Sequence, residues 1–569
     1  MGKSNVPRGN SSATHEVFNQ VPPLADINLF LKDRFLVEAL QRYDGAWGYD
    51  RLSQFGARFG SAEVLNWAHQ ANRFEPELKT HDRTGHRIDE VEFHPAWHSL
   101  MSLSTSFGMH NLPWVEEKPG SHLVRAAMMF MAYQIEAGHC CPISMTYSAV
   151  PALRKQPELA KVWEPRINTT GYDGRLVGAG DKPGVIFGMA MTEKQGGSDV
   201  RANTTVARPL ADGGPGKEYL ITGHKWFCSA PMSDAFLVLA QIEGMPSCFL
   251  VPRILPDGSR NVFAIQRLKE KLGNKSNASS EIEFRDTVGY LVGGVGRGVA
   301  TIIEMVNHTR LDCAIGSASL MRQSLMQAMH HARHRSAFGK PLIQQPIMQS
   351  VLADLAIEAE AAELLMLRLA HSYDNPDNDR GEDSLRRITS AVAKYWLCKR
   401  ATPFVTEALE CHGGNGYVEE SVLPRLFRES PLNSIWEGAG NVICLDVMRA
   451  LVKEPESVDA LEKELKTTSG ASPRYDRYVA SLIRSLRSSQ KALSGKSASA
   501  KLKAEQAARK NVEQIALALQ ASLMLRYSSE EAAAAYVSTR LGTGHGYMFG
   551  TLPASVKVKP IVDRYLETV

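Results

Sequence analysis

Residues 410–446 read ECHGGNGYVEESVLPRLFRESPLNSIWEGAGNVICLD, and this stretch sets what the rest of the chain has to supply. It holds a Gly-Gly-x-Gly turn at Gly413, Gly414 and Gly416. A single carboxylate, Glu437, follows 21 residues later between Trp436 and Gly438. Glycines at that density allow positive φ and let backbone N–H groups approach an anionic ligand closely. A carboxylate between an indole and a glycine is poorly hydrated, which raises its pKa toward that of a working base. The other reading is a plain loop followed by a capped helix end, and the spacing alone does not separate the two.

A chain of 569 residues has room for about three to four domains. With 44% apolar and 22% charged residues it has the composition of an ordinary globular protein. Its eight cysteines are scattered and form no CxxC pair, so neither a zinc site nor a disulfide framework is expected; a reducing, cytoplasmic setting fits. No apolar run approaches the ~18 residues of a membrane span. The opening MGKSNVPRGNSSATH lacks the apolar core of a signal peptide and reads as a disordered leader. The net charge of +4 is unevenly placed: residues 456–569 carry 17 Lys/Arg against 11 Asp/Glu, leaving 48 against 50 in the first 455. Within Arg474–Lys510 the count is 10 against 2.

Residues 15–182 read as helical with turns; Ser121–Glu136 is a buried helix capped by its serine. Between 185 and 290 short β-rich runs (Val185–Met189, Glu218–Ile221, Phe236–Ile242, Phe249–Pro252, Glu281–Phe284) alternate with Gly/Asp/Pro turns, which predicts a small antiparallel β domain. Long helices follow at Ala300–Arg335, Ile347–His371 and Ser384–Glu410, separated by a break at Asp374–Asp383 and predicting a four-helix bundle. In the second, Ile347, Val351, Leu355, Ala359, Ala362, Met366 and Leu369 share an apolar face. A basic helix carrying Arg474, Arg477, Arg484 and Arg487 and an Ala-rich helix at Glu505–Thr539 complete the chain. The expected class is α+β, mostly α. Its units are an N-terminal helical domain (1–184), a β domain (185–292), a bundle (293–455) and a basic helical C-terminal domain (456–569).

Three further motifs carry chemistry. Met191-Thr192-Glu193-Lys194-Gln195-Gly196-Gly197-Ser198-Asp199-Val200 offers hydroxyls and free backbone N–H groups, which suit the acceptor-rich edge of a flavin or a phosphate. His224-Lys225-Trp226-Phe227-Cys228-Ser229 places two aromatics and a hydroxyl in one strand, either as core or as a wall stacked on a planar ring. Arg335-Ser336-Ala337-Phe338-Gly339 can pair a diphosphate and stack on an adenine, or can simply end a helix with a cation at its negative pole. Phe93–His98 flanks an aromatic with histidines, but no acid or cysteine stands at ligand spacing, so core packing and no metal is the expectation.

In this order and spacing these motifs resemble the acyl-CoA dehydrogenase superfamily over about residues 90–455. The resemblance implies FAD held by Met191, Thr192, Gly197, Ser198, Trp226, Phe227 and Ser229 at the ring. It implies Arg335, Phe338 and Gln345 at the pyrophosphate and adenine, with Trp436, Gly438 and Asn441 near the site. Gly413 and Gly414 would reach FAD across a subunit interface, implying a homo-oligomer, usually a tetramer. Glu437 falls at the position of the base that removes the substrate α-proton, and Arg310 matches the helix arginine near it. The details are closest to the alkylation-response branch, on Phe18-Asn19-Gln20, Phe93–His98, Lys271–Ser279, Ser434–Gly438 and the basic C-terminal extension. That branch implies double-stranded DNA as a partner, with Arg449 and Arg540 at DNA-contacting positions and weak isovaleryl-CoA dehydrogenase activity. The alternative is a fully active short- or branched-chain acyl-CoA dehydrogenase whose basic tail merely solvates it. The chain departs from the superfamily at Pro346 and Glu410, where glutamines are usual, and at Trp436, where a tyrosine is. The added bulk of Trp436 narrows an acyl pocket.

Overall fold

The computed structural model describes residues 14–374 and 379–567, so most of the leader and residues 375–378 lie outside the described residues. Helices α1 (Arg34–Arg42), α2 (Tyr49–Phe59), α3 (Ala62–Arg73), α4 (Pro95–Ser106), α5 (Leu112–Val115), α6 (Ser121–Ile135), α7 (Cys140–Leu153) and α8 (Pro157–Ile167) form the first layer. An antiparallel hairpin, β1 (Glu77–His81) and β2 (Arg87–Glu92), interrupts them. The sequence reading misses it because its strands are charged and half-exposed, leaving no apolar alternation to detect.

Helix α6 is sealed along its whole length, as its all-round apolar character requires. Its cap is not Ser121, whose hydroxyl donates to the Glu116 carbonyl instead. The carboxylate of Asp374 supplies the cap from 250 residues away, accepting from the His122 and Leu123 N–H groups at 2.8 and 2.9 Å.

The β domain contains β3 (Phe187–Ala190), β4 (Val206–Pro209), β5 (Glu218–Ser229), β6 (Ala235–Ile242), β7 (Met245–Pro252), β8 (Phe263–Leu268) and β9 (Ser279–Val292). The sheet runs β3-β6-β4-β5-β9-β7, and β7 pairs back onto β6, closing it on itself. It is mixed rather than purely antiparallel: β3 and β4 both run parallel to β6. Strand residues carry no mark of direction, and the long connections 191–205 and 210–234 are what allow the parallel returns.

The bundle comprises α9 (Gly298–His334), α10 (Pro346–His371) and α11 (Arg380–Glu410), with α12 (Leu423–Glu429) and α13 (Gly440–Lys453) after the glycine turn. Ile347 leaves the expected apolar stripe, 80% exposed on the first turn of α10, where the helix projects past its neighbours.

The C-terminal part folds as α14 (Glu456–Lys466), α15 (Pro473–Ser494), α16 (Ala498–Gln506), α17 (Ala508–Tyr527), α18 (Glu530–Arg540) and α19 (Val558–Leu566). The expected helix over Glu505–Thr539 is two, because Ser528 is extended and Ser529 caps α18. These helices share one apolar core with the bundle and are stapled to it by buried ion pairs. Arg540 meets Asp354 and Glu358, Arg564 meets Glu360, and Arg368 meets Glu464.

Candidate functional site

Glu437 sits on a backbone turn at φ +56°, followed by Gly438 at φ +103°, just before α13. Neighbouring groups hold the turn. Arg310 Nε donates to the Glu437 carbonyl at 3.3 Å, and Lys394 Nζ donates to the Gly438 carbonyl at 2.5 Å. The carboxylate accepts from Thr309 Oγ1 at 2.8 Å. Burial pushes the Glu437 pKa above the usual carboxylate range, opposed by the Thr309 hydroxyl, Arg310 and Lys394. Arg310 is committed to Asp446 at 2.9 Å as well as to this turn, so it shapes the loop while its charge acts at close range.

The flavin-type motifs converge on the same place. Glu193, within the first, is buried and ion-paired to Lys225 of the second at 2.8 Å; its other oxygen accepts from Thr204 and Gln195. Burial lowers the Lys225 pKa to about 8 while Glu193 opposes the shift. The Trp226 N–H donates to the Thr192 carbonyl at 2.8 Å. Gly197 packs so closely on Thr192 that a Cβ there would lie 2.4 Å from its hydroxyl. This clamp leaves Thr192 and Ser229 half-buried and Ser198 exposed; Trp226 lies under Lys269 Nζ at 3.2 Å, and Phe227 is 51% exposed. Met191 and Trp436 pack against the same apolar cluster. Cys141 ties the two halves together: burial pushes its thiol up to about 12, with Ser229 and Glu437 among its interacting neighbours. Asn441 lies exposed in the first turn of α13.

Arg335, Phe338, Gln345, Gly413 and Gly414 gather elsewhere. Gln345 Nε2 donates to the Ala337 carbonyl at 3.0 Å, and the tilted rings of His331 on α9 and His412 lie 4.5 Å apart, bringing the glycine turn beside Arg335. Gly413 has φ +60°, and nothing lies within 4 Å of a Cβ placed at Gly413 or Gly414, so the backbone is bare for a ligand. Phe338 is 97% exposed, and Arg335 Nη1 donates to the Asn19 carbonyl at 2.5 Å. Glu410 is exposed, clear of the turn. Thr309 and Arg335 stand 26 positions apart on and at the end of one continuous helix, about 39 Å at 1.5 Å per residue. That is too far for one dinucleotide to bridge.

Two other arrangements are structural. Ser104, His139 and Glu136 line up at 2.9 Å and 2.9 Å like a hydrolytic triad, but all three are sealed from solvent. His94 caps α4 and His98 bonds Tyr172, as core groups do; no metal-holding cluster occurs among the described residues. Of the two arginines expected at DNA, Arg449 is exposed beside Asp446 at 3.5 Å. Arg540 does not fit that role: its side chain is 10% exposed and closed between Asp354 and Glu358 at 2.6 and 2.9 Å.

Sequence reasoning missed Thr309, Asp446, Lys394 and the Glu193–Lys225 clamp. Thr309 and Asp446 adjoin quoted motifs, but nothing in their spacing marks them as partners of Glu437 and Arg310.

Comparison with known proteins accounts for this layout. The N-terminal domain of the adaptive response protein AidB matches residues 19–174. The middle and C-terminal domains of acyl-CoA dehydrogenases match 188–287 and 296–452. AidB of Escherichia coli K12 is 44% identical over 94% of this chain and 95% of its own. The chain belongs to the AidB group of the acyl-CoA dehydrogenase family. Among solved structures, ACDH-11 of Caenorhabditis elegans in complex with C11-CoA superimposes with a TM-score of 0.81 at 25% identity, over 99% of this chain and 95% of that one. An acyl-CoA dehydrogenase of Bacillus anthracis complexed with FAD shares the family fold at 17% identity and a TM-score of 0.64, each chain 83% covered. Among the described residues no helix is long and apolar enough to cross a membrane, and all eight cysteines are free and buried.

Proposed function

We propose that this chain is an FAD-containing, DNA-binding member of the AidB group that protects DNA from alkylation damage and retains weak dehydrogenase activity toward short branched acyl-CoA substrates. The observation that carries the enzymatic half is the Glu437 carboxylate, raised by burial and steadied by Thr309, next to the hydroxyl-rich Thr192–Ser198 turn and Ser229. The cofactor is FAD. Thr192, Ser198 and Ser229 fit its ring edge and Trp226 its face, while Arg335, Phe338, Gly413 and Gly414 fit the diphosphate and adenine of a partner chain's FAD. When bound, FAD would supply the acceptor for a hydride from the substrate β-carbon. Glu437 takes the α-proton, Arg310 and Lys394 fix the turn that aims it, and Trp436 limits the space beside it. The separation of the two half-sites supports a homo-oligomer, at least a dimer and by family analogy a tetramer.

The DNA half rests on exposed charge. Arg477, Arg484 and Lys491 on α15, Lys496 in the link after it, and Lys501 and Lys503 on α16 are exposed and form no ion pair among the described residues. Such a surface supplies sequence-independent, salt-sensitive phosphate contacts. The test exchanges Lys491, Lys496, Lys501 and Lys503 for glutamate and titrates random duplex DNA across a salt series. Loss of affinity with a flatter salt slope supports the reading, whereas unchanged binding refutes it. Removing 456–569 altogether is a poorer test, since it uncovers Glu358 and Glu360, which are buried against that segment.

A further inference from the structure

Four buried polar atoms have no hydrogen-bond partner among the described residues: Asn274 Nδ2, Asn277 Oδ1, Glu429 Oε2 and Asn433 Nδ2. Their residues form two hydrogen-bonded sets, which meet where Glu429 acts on the Tyr133 phenol. Asn277 Nδ2 donates to Asn274 Oδ1 at 3.0 Å, and the Asn274 N–H donates to Glu429 Oε1 at 2.7 Å. Asn433 Oδ1 accepts from Tyr133 at 3.1 Å and from Trp436 Nε1 at 3.0 Å, and Trp436 is the neighbour of Glu437 in the chain. Tyr133 closes the group against α9, its ring so near Gly316 that a Cβ there would meet it at 2.7 Å. Cys141 joins the group to the base, since Lys271, Asn277 and Glu437 all influence its thiol.

A buried, unpaired polar atom costs about 1–3 kcal/mol, so four of them gathered around Glu429 and Tyr133 mark a place that something polar fills. The set offers two amide donors and two acceptors, which a hydroxyl, a carbonyl or water can satisfy and an alkyl chain cannot. Burial also pushes the Glu429 pKa up to about 7, so its carboxyl is itself able to donate near neutrality.

We propose that Asn274, Asn277, Glu429, Asn433 and Tyr133 form a polar chamber beside Glu437 that receives the hydrogen-bonding end of a compact substrate, one ending in a hydroxyl or carbonyl rather than an alkyl tail. This deepens, and rests on, the reading of Glu437 as a base acting on CoA thioesters. A matched polar group satisfies these atoms. A methyl terminus strands the same four atoms.

The experiment compares two thioesters of equal length, pentanoyl-CoA and 4-hydroxybutanoyl-CoA, binding to the FAD-loaded protein. Calorimetry is done in the Glu437→Gln background so that no turnover intervenes. The hydroxyl ligand is expected to bind about tenfold tighter, as for sites whose polar groups would otherwise be left unpaired. Asn433→Leu is expected to erase the difference. Pentanoyl-CoA binding equally or more tightly overturns the chamber while leaving the base assignment standing, and so does a preference that survives Asn433→Leu. Binding of neither thioester overturns the functional reading and this inference with it. The comparison without Asn433→Leu decides by itself if that variant does not fold.

Discussion

Arg540→Ala distinguishes a latch from a DNA contact. The guanidinium lies between Asp354 and Glu358, whose side chains are 4% and 3% exposed. Without it Glu358 keeps Arg400 at 2.7 Å, while Asp354 keeps only the Gly550 N–H at 2.8 Å. Breaking a buried ion pair by removing one partner costs about 3–5 kcal/mol, because a charge stays in the interior uncompensated. With one carboxylate still paired, the lower end of that range applies, about 3 kcal/mol. Urea unfolding followed by circular dichroism measures it, and Arg540→Ala combined with Asp354→Asn is expected to lose less than the sum of the two single changes. Duplex binding of the folded variant is expected to keep the same salt slope. A stability change under about 0.5 kcal/mol, together with a salt slope smaller by about 1, would place Arg540 on DNA and refute the latch.

Thr309→Val removes the hydroxyl that favours the Glu437 carboxylate. The acid limb of the flavin-bleaching rate is expected to move to higher pH, and Thr309→Ser to restore it; an unmoved limb means the contact does not tune the base. Burial raises Asp374 to about 7, so the folded state binds a proton that the unfolded chain has already released, and this group's contribution to stability falls as pH rises from about 4 to about 7. Asp374→Asn is expected to flatten that fall, measured as the difference in unfolding free energy between pH 5 and pH 8. Glu437→Gln is expected to leave the FAD absorbance intact while isovaleryl-CoA no longer bleaches it; bleaching that persists would assign the base elsewhere.

The sequence made the site's ingredients visible more readily than their grouping. The glycine turn, the Thr192–Ser198 turn and the Trp226–Ser229 strand were legible because their composition is unusual for loops and strands. Glu437 stood out as a buried carboxylate from its two neighbours, but its assignment as the base came from the family resemblance. The α9–α11 bundle followed from apolar periodicity over long windows. The Asp374 cap, the Arg310–Asp446 brace and the Arg540 clamp were not legible, since each joins residues 136 to 252 positions apart and no local pattern encodes the partner. Charge counting correctly located a basic segment but could not separate arginines facing solvent, such as Arg484, from those sunk into carboxylates, such as Arg540. The β1–β2 hairpin escaped because its inner face carries a single apolar pair, Leu78 and Val91, too little to show an alternation.

The length of α9 has a genetic consequence. Its first half carries Thr309, which meets Glu437, and its far end leads to Arg335 and the Gly413 turn, so the proposed dimer builds each complete site from two chains. Two inactive subunits, one carrying Glu437→Gln and the other Gly413→Val, would then rescue each other when co-expressed. Every mixed dimer would pool both defects in one site and leave its other site whole.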